Sequence, residues 1–404
     1  MHYPCTIRTI DNKRRIQMKA RVLAVYLPQF HPIPENDKFW GPGFTEWNNV
    51  VKAKPLFRGH YQPRIPADLG FYDLRLPEVR EKQAELARDA GIEGFCYWHY
   101  WFGNGKRLLN RPLDEVVACG KPDFPFCLAW ANHDWTTGTW QKGMKKGMIA
   151  EQLYLGKADH EHHFNTMLPA FRDKRYIRVD GKLLFVIYDP YRFVHVEEFI
   201  DTWRQLAQKN DLGDFHFVAM CNSTNTVVRL PEGGIGPGRV QPDLKSSAVV
   251  YNNMLALGFD AVCSWGKPRA EMIVMGKYKR ALLYKLHERV SFLPTLKYDY
   301  AEVTKHFFAP EDSWDNVYPT LMSGWDRTPR TGDEEGVYIN YTPEHFQHHI
   351  ESGLEVIKDK PEEHRILFLR SWNEWAEGNY VEPDEKYGHG FLNAIRNAIS
   401  DRHE

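Results

Sequence analysis

The sequence predicts one (β/α)8 barrel with elaborated βα loops. Three observations lead there: eight short β-rich runs, amphipathic helical segments between most of them, and no linker or low-complexity tract along the 404 residues. That length exceeds the usual single-core domain of ~100–200 residues, but α/β barrels commonly reach about 250–400 as one unit. The expected division is an N-terminal extension over 1–21 and a catalytic barrel over 22–404.

The runs, in order, are VLAVYLPQF (22–30), GIEGFCYWHYW (91–101), FPFCLAW (124–130), LLFVIYD (183–189), FHFVAM (215–220), FDAVCSW (259–265), YPTLMSGWD (318–326) and RILFLRSWNEW (365–375). Most are continuously apolar rather than alternating, as parallel strands buried on both faces should be. PEVREKQAELARDAG (77–91) reads as a helix with Pro77 near its start and Gly91 suited to its C-terminal cap. VEEFIDTWRQLAQKN (196–210) and TPEHFQHHIESGLEVIKD (342–359) follow the same plan, the second with Thr342 as N-cap and Pro343 as first helical residue. YGHGFLNAIRNAI (387–399) would close the ring, and residues 266–317 form a long insertion. A doubly wound open sheet is the alternative. It should carry a Gly-rich phosphate turn after the first strand, where this chain reads LPQFHPIPEND.

Composition narrows the class. Hydrophobic residues are 43% and charged residues 26%, as in a globular protein with a sizeable core. A formal net charge of −1 gives no electrostatic case for nucleic acid or an anionic membrane. The 13 Trp are an excess that either fills a large core or lines a cleft that stacks on sugar rings, and the count leaves both open. Cys5, Cys96, Cys119, Cys127, Cys221 and Cys263 stand singly, so reduced thiols are expected rather than disulfides or a metal centre. The basic N-terminus lacks an apolar signal-peptide core, and no apolar run approaches the ~20 residues of a membrane span. A soluble, cytoplasmic protein is expected as the chain stands, periplasmic or secreted if a leader has been removed. Oligomeric state is left open.

In a (β/α)8 barrel the site forms where strands end and βα loops begin. Those positions hold Gln29 and His31, then Tyr97, Trp98, His99, Tyr100 and Trp101, then Trp130, Asn132, His133, Asp134 and Trp135. Tyr188, Asp189, Asn222, Trp265, Trp325 and Asp326 continue the series, and Trp372, Asn373, Glu374, Trp375 and Glu377 complete it. So many polar and aromatic groups at one end of the strands predict a pocket. Its sharpest motif is SWNEWAEG (371–378), which sets Glu374 just past the last strand and Glu377 one turn on. Two carboxylates beside one apolar-walled cleft should differ in pKa, the one against aromatic surface being raised, and glycosidic cleavage needs that division of labour. Alternatively, Glu377 caps a turn or pairs with an arginine such as Arg370.

Weaker candidates follow. His160/His162/His163 and His345/His348/His349 fall on predicted surface helices and read as solvated faces rather than metal ligands. His31, His99 and His133 are better placed to hold sugar hydroxyls. LPEGGIGPGR (230–239) reads as a flexible loop rather than a phosphate cradle. In the insertion FWGPGFTEWNNVVKAKPLFRGHYQPRIP (39–66), Glu46, Trp47 and Tyr61 are placed to overhang the cleft.

The stretches AVYLPQFHPIPENDKFWGPGFTEWNNVVKAKPLFRGHYQPRIPADLGFYDL, GIEGFCYWHYWFGNGKRLLNRPLDEV and SWNEWAEGNYVEPD resemble the WbsX-type proteins, a bacterial glycan-locus group related to glycoside hydrolase family 99, the endo-α-mannosidases. The resemblance runs from about residue 22 to 395 and is weakest from about 222 to 345. It implies a barrel, no metal or other cofactor, an oligosaccharide or polysaccharide substrate, and retention of configuration without a covalent enzyme nucleophile. Carried onto this chain, Glu374 would take the proton of the sugar 2-hydroxyl, whose oxygen attacks C1 to give a 1,2-anhydro sugar. Glu377 would protonate the leaving oxygen and later activate water. One departure points to a glycan other than mannan: His133 and Asp134 stand where related proteins usually carry Glu-Asn before the Trp. The label of glycosyltransferase carried by this group, and a non-catalytic glycan-binding barrel, are the competing readings. Sugar-nucleotide transferases usually show a diphosphate site or an Asp-x-Asp tripeptide, and no such tripeptide occurs here.

Overall fold

The computed structural model describes residues 18–137, 147–222, 225–239, 243–287, 290, 295–332 and 336–400. Eight parallel strands form its centre: β1 (Arg21–Tyr26), β2 (Gly94–His99), β3 (Phe126–Trp130), β4 (Lys182–Ile187), β5 (Phe215–Asn222), β6 (Ala261–Trp265), β7 (Val317–Met322) and β8 (Ile366–Arg370). Each pairs in parallel with the next, and β8 returns to β1 with Arg21 opposite Ile366 and Ala24 opposite Leu369. The sheet closes into a (β/α)8 barrel, as the continuous apolar runs predict.

Strand burial explains those runs. Every residue of β2, β3 and β7 is buried, because the pleat alternates between the barrel interior and the surrounding helices, and both sides are dry. Helices Pro77–Asp89, Val196–Lys209, Pro343–Ile357 and Gly390–Ile399 lie where the sequence places them. Thr342 caps its helix by accepting from the His345 amide, and Gly91 takes the left-handed conformation (φ +83°) just beyond the Pro77 helix. Between helix and barrel, Trp203 packs 4.8 Å from Phe185 and 4.5 Å from Phe199. Burying such a ring contributes roughly 1.5–3 kcal/mol or more.

Two readings need correction. Residues 230–239 are not a flexible loop: Asn225–Arg229 and Ile235–Arg239 pair as an antiparallel hairpin, its glycines serving the turn and the close strand contact. Nor are the histidine clusters solvated faces. Only His162 and His348 are exposed, whereas His160, His163 and His349 point inward. His163 shares a 2.7 Å Nε2–Nε2 hydrogen bond with His99 and stacks on Trp101, so both imidazoles are kept neutral by burial. Among the described cysteines all are free, with Cys96, Cys127, Cys221 and Cys263 buried and Cys119 exposed, while Cys5 lies outside the described residues. No helix among the described residues is long and apolar enough to cross a membrane.

Candidate active site

The cleft sits at the C-terminal mouth of the barrel, where the fold delivers the end of every strand. Its cavity of about 380 Å³ falls within the ~300–1,000 Å³ of small-molecule sites. Trp98, Tyr100, Trp135, Tyr188, Trp265 and Trp325 supply aromatic walls, and Arg327, Arg330, Arg370, Glu374 and Glu377 supply the charge. Both fates foreseen for tryptophan occur: Trp98, Trp265 and Trp325 line the cleft, Trp135 lines it while almost wholly covered, and Trp101, Trp130, Trp203, Trp372 and Trp375 are fully buried outside it.

The acidic motif is fixed from below. Asn373 bridges β8 to β1, its Oδ1 accepting from the Leu27 amide at 2.7 Å and its Nδ2 donating to the Leu27 carbonyl at 3.0 Å. Trp375 stacks on Tyr380 at 3.8 Å and donates to Glu382 at 2.6 Å, anchoring the single turn Trp375–Glu377. Gly378 ends that turn at φ +60°. A Cβ there would lie 2.7 Å from the Arg64 guanidinium and 2.8 Å from Asp326 Cβ, so glycine is required on two counts. The turn therefore lifts Glu374 and Glu377 into the cleft with little freedom.

One guanidinium joins the acids. Arg330 donates to Glu46 at 2.7 Å, to Glu374 at 2.9 Å and to Glu377 at 2.5 Å, all four side chains being buried. A single planar group spans the two motif glutamates, so their carboxyls are neighbours at one opening. Arg327 adds a second cation 3.2 Å from Glu377. Desolvation pushes Glu374 up to about 7, opposed by Arg330 and assisted by the charge on Glu377. Glu377 is desolvated too, but Arg330, Arg327, Arg370 and Lys267 together hold it below the usual carboxylate range. The inequality expected for the pair is present, with arginines rather than aromatic contact deciding which acid is depressed.

The arginines owe their position to the loop after β7. Asp326 is buried, accepting from His60 at 2.9 Å, Gln62 at 2.6 Å and the Thr328 hydroxyl at 2.6 Å, and its amide donates to the Glu377 carbonyl at 2.6 Å. Burial opposes ionisation, but His60, the adjacent Arg64 and the Thr328 hydroxyl hold its carboxyl well below the ordinary value. Asp326 thereby ties the first insertion to the short helix Thr328–Thr331, which carries Arg330 over the glutamates.

Of the residues picked from sequence, Tyr100, His133, Trp135, Asp189, Asn222, Trp265, Trp325, Glu374 and Glu377 line the cleft. Gln29, His31, Trp47, Tyr97, His99, Trp101, Asn132, Asn373 and Trp375 do not; all are buried around it. Tyr97 packs 4.6 Å from Tyr26, Trp101 donates to Asp159, and Asn132 donates to Tyr154 and the Asp189 carbonyl. Strand ends carry residues that support the loops as well as residues that face the mouth, and sequence position cannot separate the two. Trp47 packs against Phe30 and Trp375 instead of overhanging the cleft, Tyr61 lies beside Tyr387 away from it, and Glu46 reaches it only through Arg330. Asp134 is exposed and accepts from the Gln152 amide. The cations Arg327 and Arg330 were not foreseen. Their signal was charge directly after the seventh strand, in WDRTPR (325–330), opposite an acidic motif. Among the described residues no group of three or more His, Cys, Asp or Glu could hold a metal ion.

The sequence model of the family described as glycosyltransferase WbsX matches residues 22–395. The uncharacterized protein WxcX of Xanthomonas campestris pv. campestris strain B100 is 32% identical over 385 residues, 95% of this chain and 50% of that protein. The chain thus spans about half the length of the curated relatives it matches. Among solved structures, a glycoside hydrolase-like protein superposes with a TM-score of 0.58 at 12% identity, over 99% of this chain and 98% of that one. The GH99 endo-alpha-mannosidase from Bacteroides thetaiotaomicron, in complex with BIS-TRIS-propane, gives 0.51 at 13% identity, over 94% and 95%. At such identities the likeness is one of fold, and that fold is glycoside hydrolase-like.

Proposed function

The chain belongs to the WbsX family, and from that premise we propose that it is a glycoside hydrolase cleaving an α-linked, mannoside-like bond of a complex glycan or polysaccharide. The observation that carries the reading is the pair Glu374 and Glu377 on one buried guanidinium at the floor of a tryptophan-walled cleft. Cleavage proceeds with retention. Glu374 accepts the proton of the 2-hydroxyl, O2 attacks C1, the bond from C1 to the leaving oxygen breaks, and Glu377 gives that oxygen its proton. Water, deprotonated by Glu377, then opens the 1,2-anhydro sugar at C1, and O2 recovers its proton from Glu374. Two inversions at one carbon return the starting configuration.

The cycle needs one proton on the pair, and the pair holds one near neutrality. In the free site its resting place is Glu374, because Glu377 faces more cations. An incoming 2-hydroxyl that donates to Glu374 favours the ionised form of that carboxyl and shifts the proton to Glu377. The residues on the cleft walls, Trp98, Tyr100, Trp135, Tyr188, Trp265 and Trp325, offer stacking faces for the sugar, and His133, Asp189 and Asn222 offer polar contacts.

The family's description favours a second reading, sugar transfer. Incubation with α-linked glycans and, separately, with UDP- and GDP-sugars plus acceptor decides between them, with NMR following the anomer first released. Release of the retained anomer from glycan supports hydrolysis. Consumption of nucleotide sugar alone, with acceptor extension, refutes it.

A further inference from the structure

Arg370 ends β8 four residues before Glu374 and lines the same cleft. Its guanidinium lies 4.6 Å from the ring centre of Trp265 and 5.8 Å from that of Tyr188. Cation–π contact of this kind engages the faces of the group and leaves in-plane N–H donors for another partner. Tyr188 also acts on it as a side-chain hydrogen-bond partner, while among the described residues no carboxylate comes within ion-pair distance. Arg330 is engaged by three glutamates, and Arg327 stands beside Glu377. Asp189, the other acid on the wall, already accepts from the Tyr191 amide and lies 3.4 Å from Arg192.

Glu374 and Glu377 act on this guanidinium through space without touching it, and a buried guanidinium with no carboxylate in direct contact is costly to maintain, so its place at the floor of a cleft is informative. The local balance points the same way. Three guanidinium groups, Arg327, Arg330 and Arg370, face the glutamates, and burial pushes Glu374 up to about 7, which weakens the anionic side of the cleft as pH falls through neutrality.

We propose that the glycan bound in this cleft is acidic, with the carboxylate of a hexuronate-type sugar taking the in-plane donors of Arg370. The inference rests on the glycoside hydrolase reading and specifies its substrate class. A planar carboxylate matches one guanidinium fork in a two-point bond, whereas a diphosphate calls for more than one uncommitted cation. Glucuronate, galacturonate and mannuronate oligosaccharides are each paired with a carboxyl-reduced twin, which keeps every linkage and removes only the charge. Binding to the Glu374→Gln protein, which blocks turnover, is read by tryptophan fluorescence alongside UDP- and GDP-sugars.

At least one acidic oligosaccharide is expected to bind tenfold or more tightly than its reduced twin. Adding Arg370→Gln should bring the two within twofold, and Arg370→Lys should restore part of the difference. The proposal is overturned if no acidic form binds, if twins bind alike, if the preference survives Arg370→Gln, or if a nucleotide sugar binds through Arg370 more tightly than any uronate. Reducing-end release by the parent protein is scored separately. Hydrolysis without carboxylate preference defeats this inference alone, while acceptor extension from nucleotide sugar defeats the hydrolase reading.

Discussion

Arg330→Met tests the electrostatic core of the site most directly. The substitution keeps an apolar stem and removes the guanidinium that bonds Glu46, Glu377 and Glu374 at 2.7, 2.5 and 2.9 Å. Charge-assisted hydrogen bonds contribute roughly 1.5–3 kcal/mol each, so three sum to about 4.5–9 kcal/mol. The freed acids recover part of this by taking up protons, and the loss should approach that of a broken buried pair, ~3–5 kcal/mol at about pH 8. The sign with pH is determined. Without Arg330 the folded-state pKa values of all three acids rise, Glu46 and Glu374 further above their unfolded values and Glu377 from below its own, so the folded variant holds more protons than the folded parent. Its stability relative to the parent is then best at acid pH and falls as pH rises through those raised values. Urea denaturation of parent and variant from about pH 5 to about pH 8 should show a gap that widens with pH. Glu46→Gln in the variant background should narrow it, since one uncompensated acid is gone. A gap of less than about 1 kcal/mol at the alkaline end, or one that does not change with pH, would refute the reasoning.

Glu374→Gln and Glu377→Gln should each lower turnover by about 10²–10⁴-fold with the circular dichroism spectrum unchanged, as loss of a general acid or base does. The profile of kcat/KM against pH should be bell-shaped. Its alkaline limb lies near 7, where the last proton leaves the pair, and its acid limb lies below ordinary carboxylate values because Arg330 and Arg327 hold Glu377 ionised. Asp326→Asn should loosen the loop bearing Arg330, raising thermal sensitivity and lowering kcat together, which differential scanning fluorimetry and initial rates would read. Gly266→Ala should prevent accumulation of folded protein, because its Cβ would sit 1.8 Å from the Phe307 carbonyl oxygen, and soluble yield measures this.

The barrel was legible in the sequence because a strand buried on both faces must be apolar throughout, and eight such runs with amphipathic helices between them admit few other arrangements. Glu374 and Glu377 were legible for a related reason: no core has a use for two acids beside Trp372 and Trp375. The same local logic could not sort the remaining strand-end residues. Tyr97, His99 and Trp101 follow one another on β2 and its end just as Tyr100 does, yet pleat and loop direction send Tyr100 to the cleft and the others into packing. His160, His163 and His349 look solvated on a helical wheel and are buried, because which stripe of a helix meets the barrel depends on partners far away in the chain.

Charge pairing was the part that only tertiary structure decided. Glu46, Arg330, Glu374 and Glu377 come from three separate loops, up to 331 positions apart in numbering from Glu46 to Glu377, and meet at one guanidinium. Sequence by itself determined that an acidic pair would stand at the mouth of a closed barrel, since periodicity and motif are local properties. Which acid keeps the proton and which cation is left for a substrate depend on distances and dielectric between groups that are neighbours in space alone, and closure of the ring sets those.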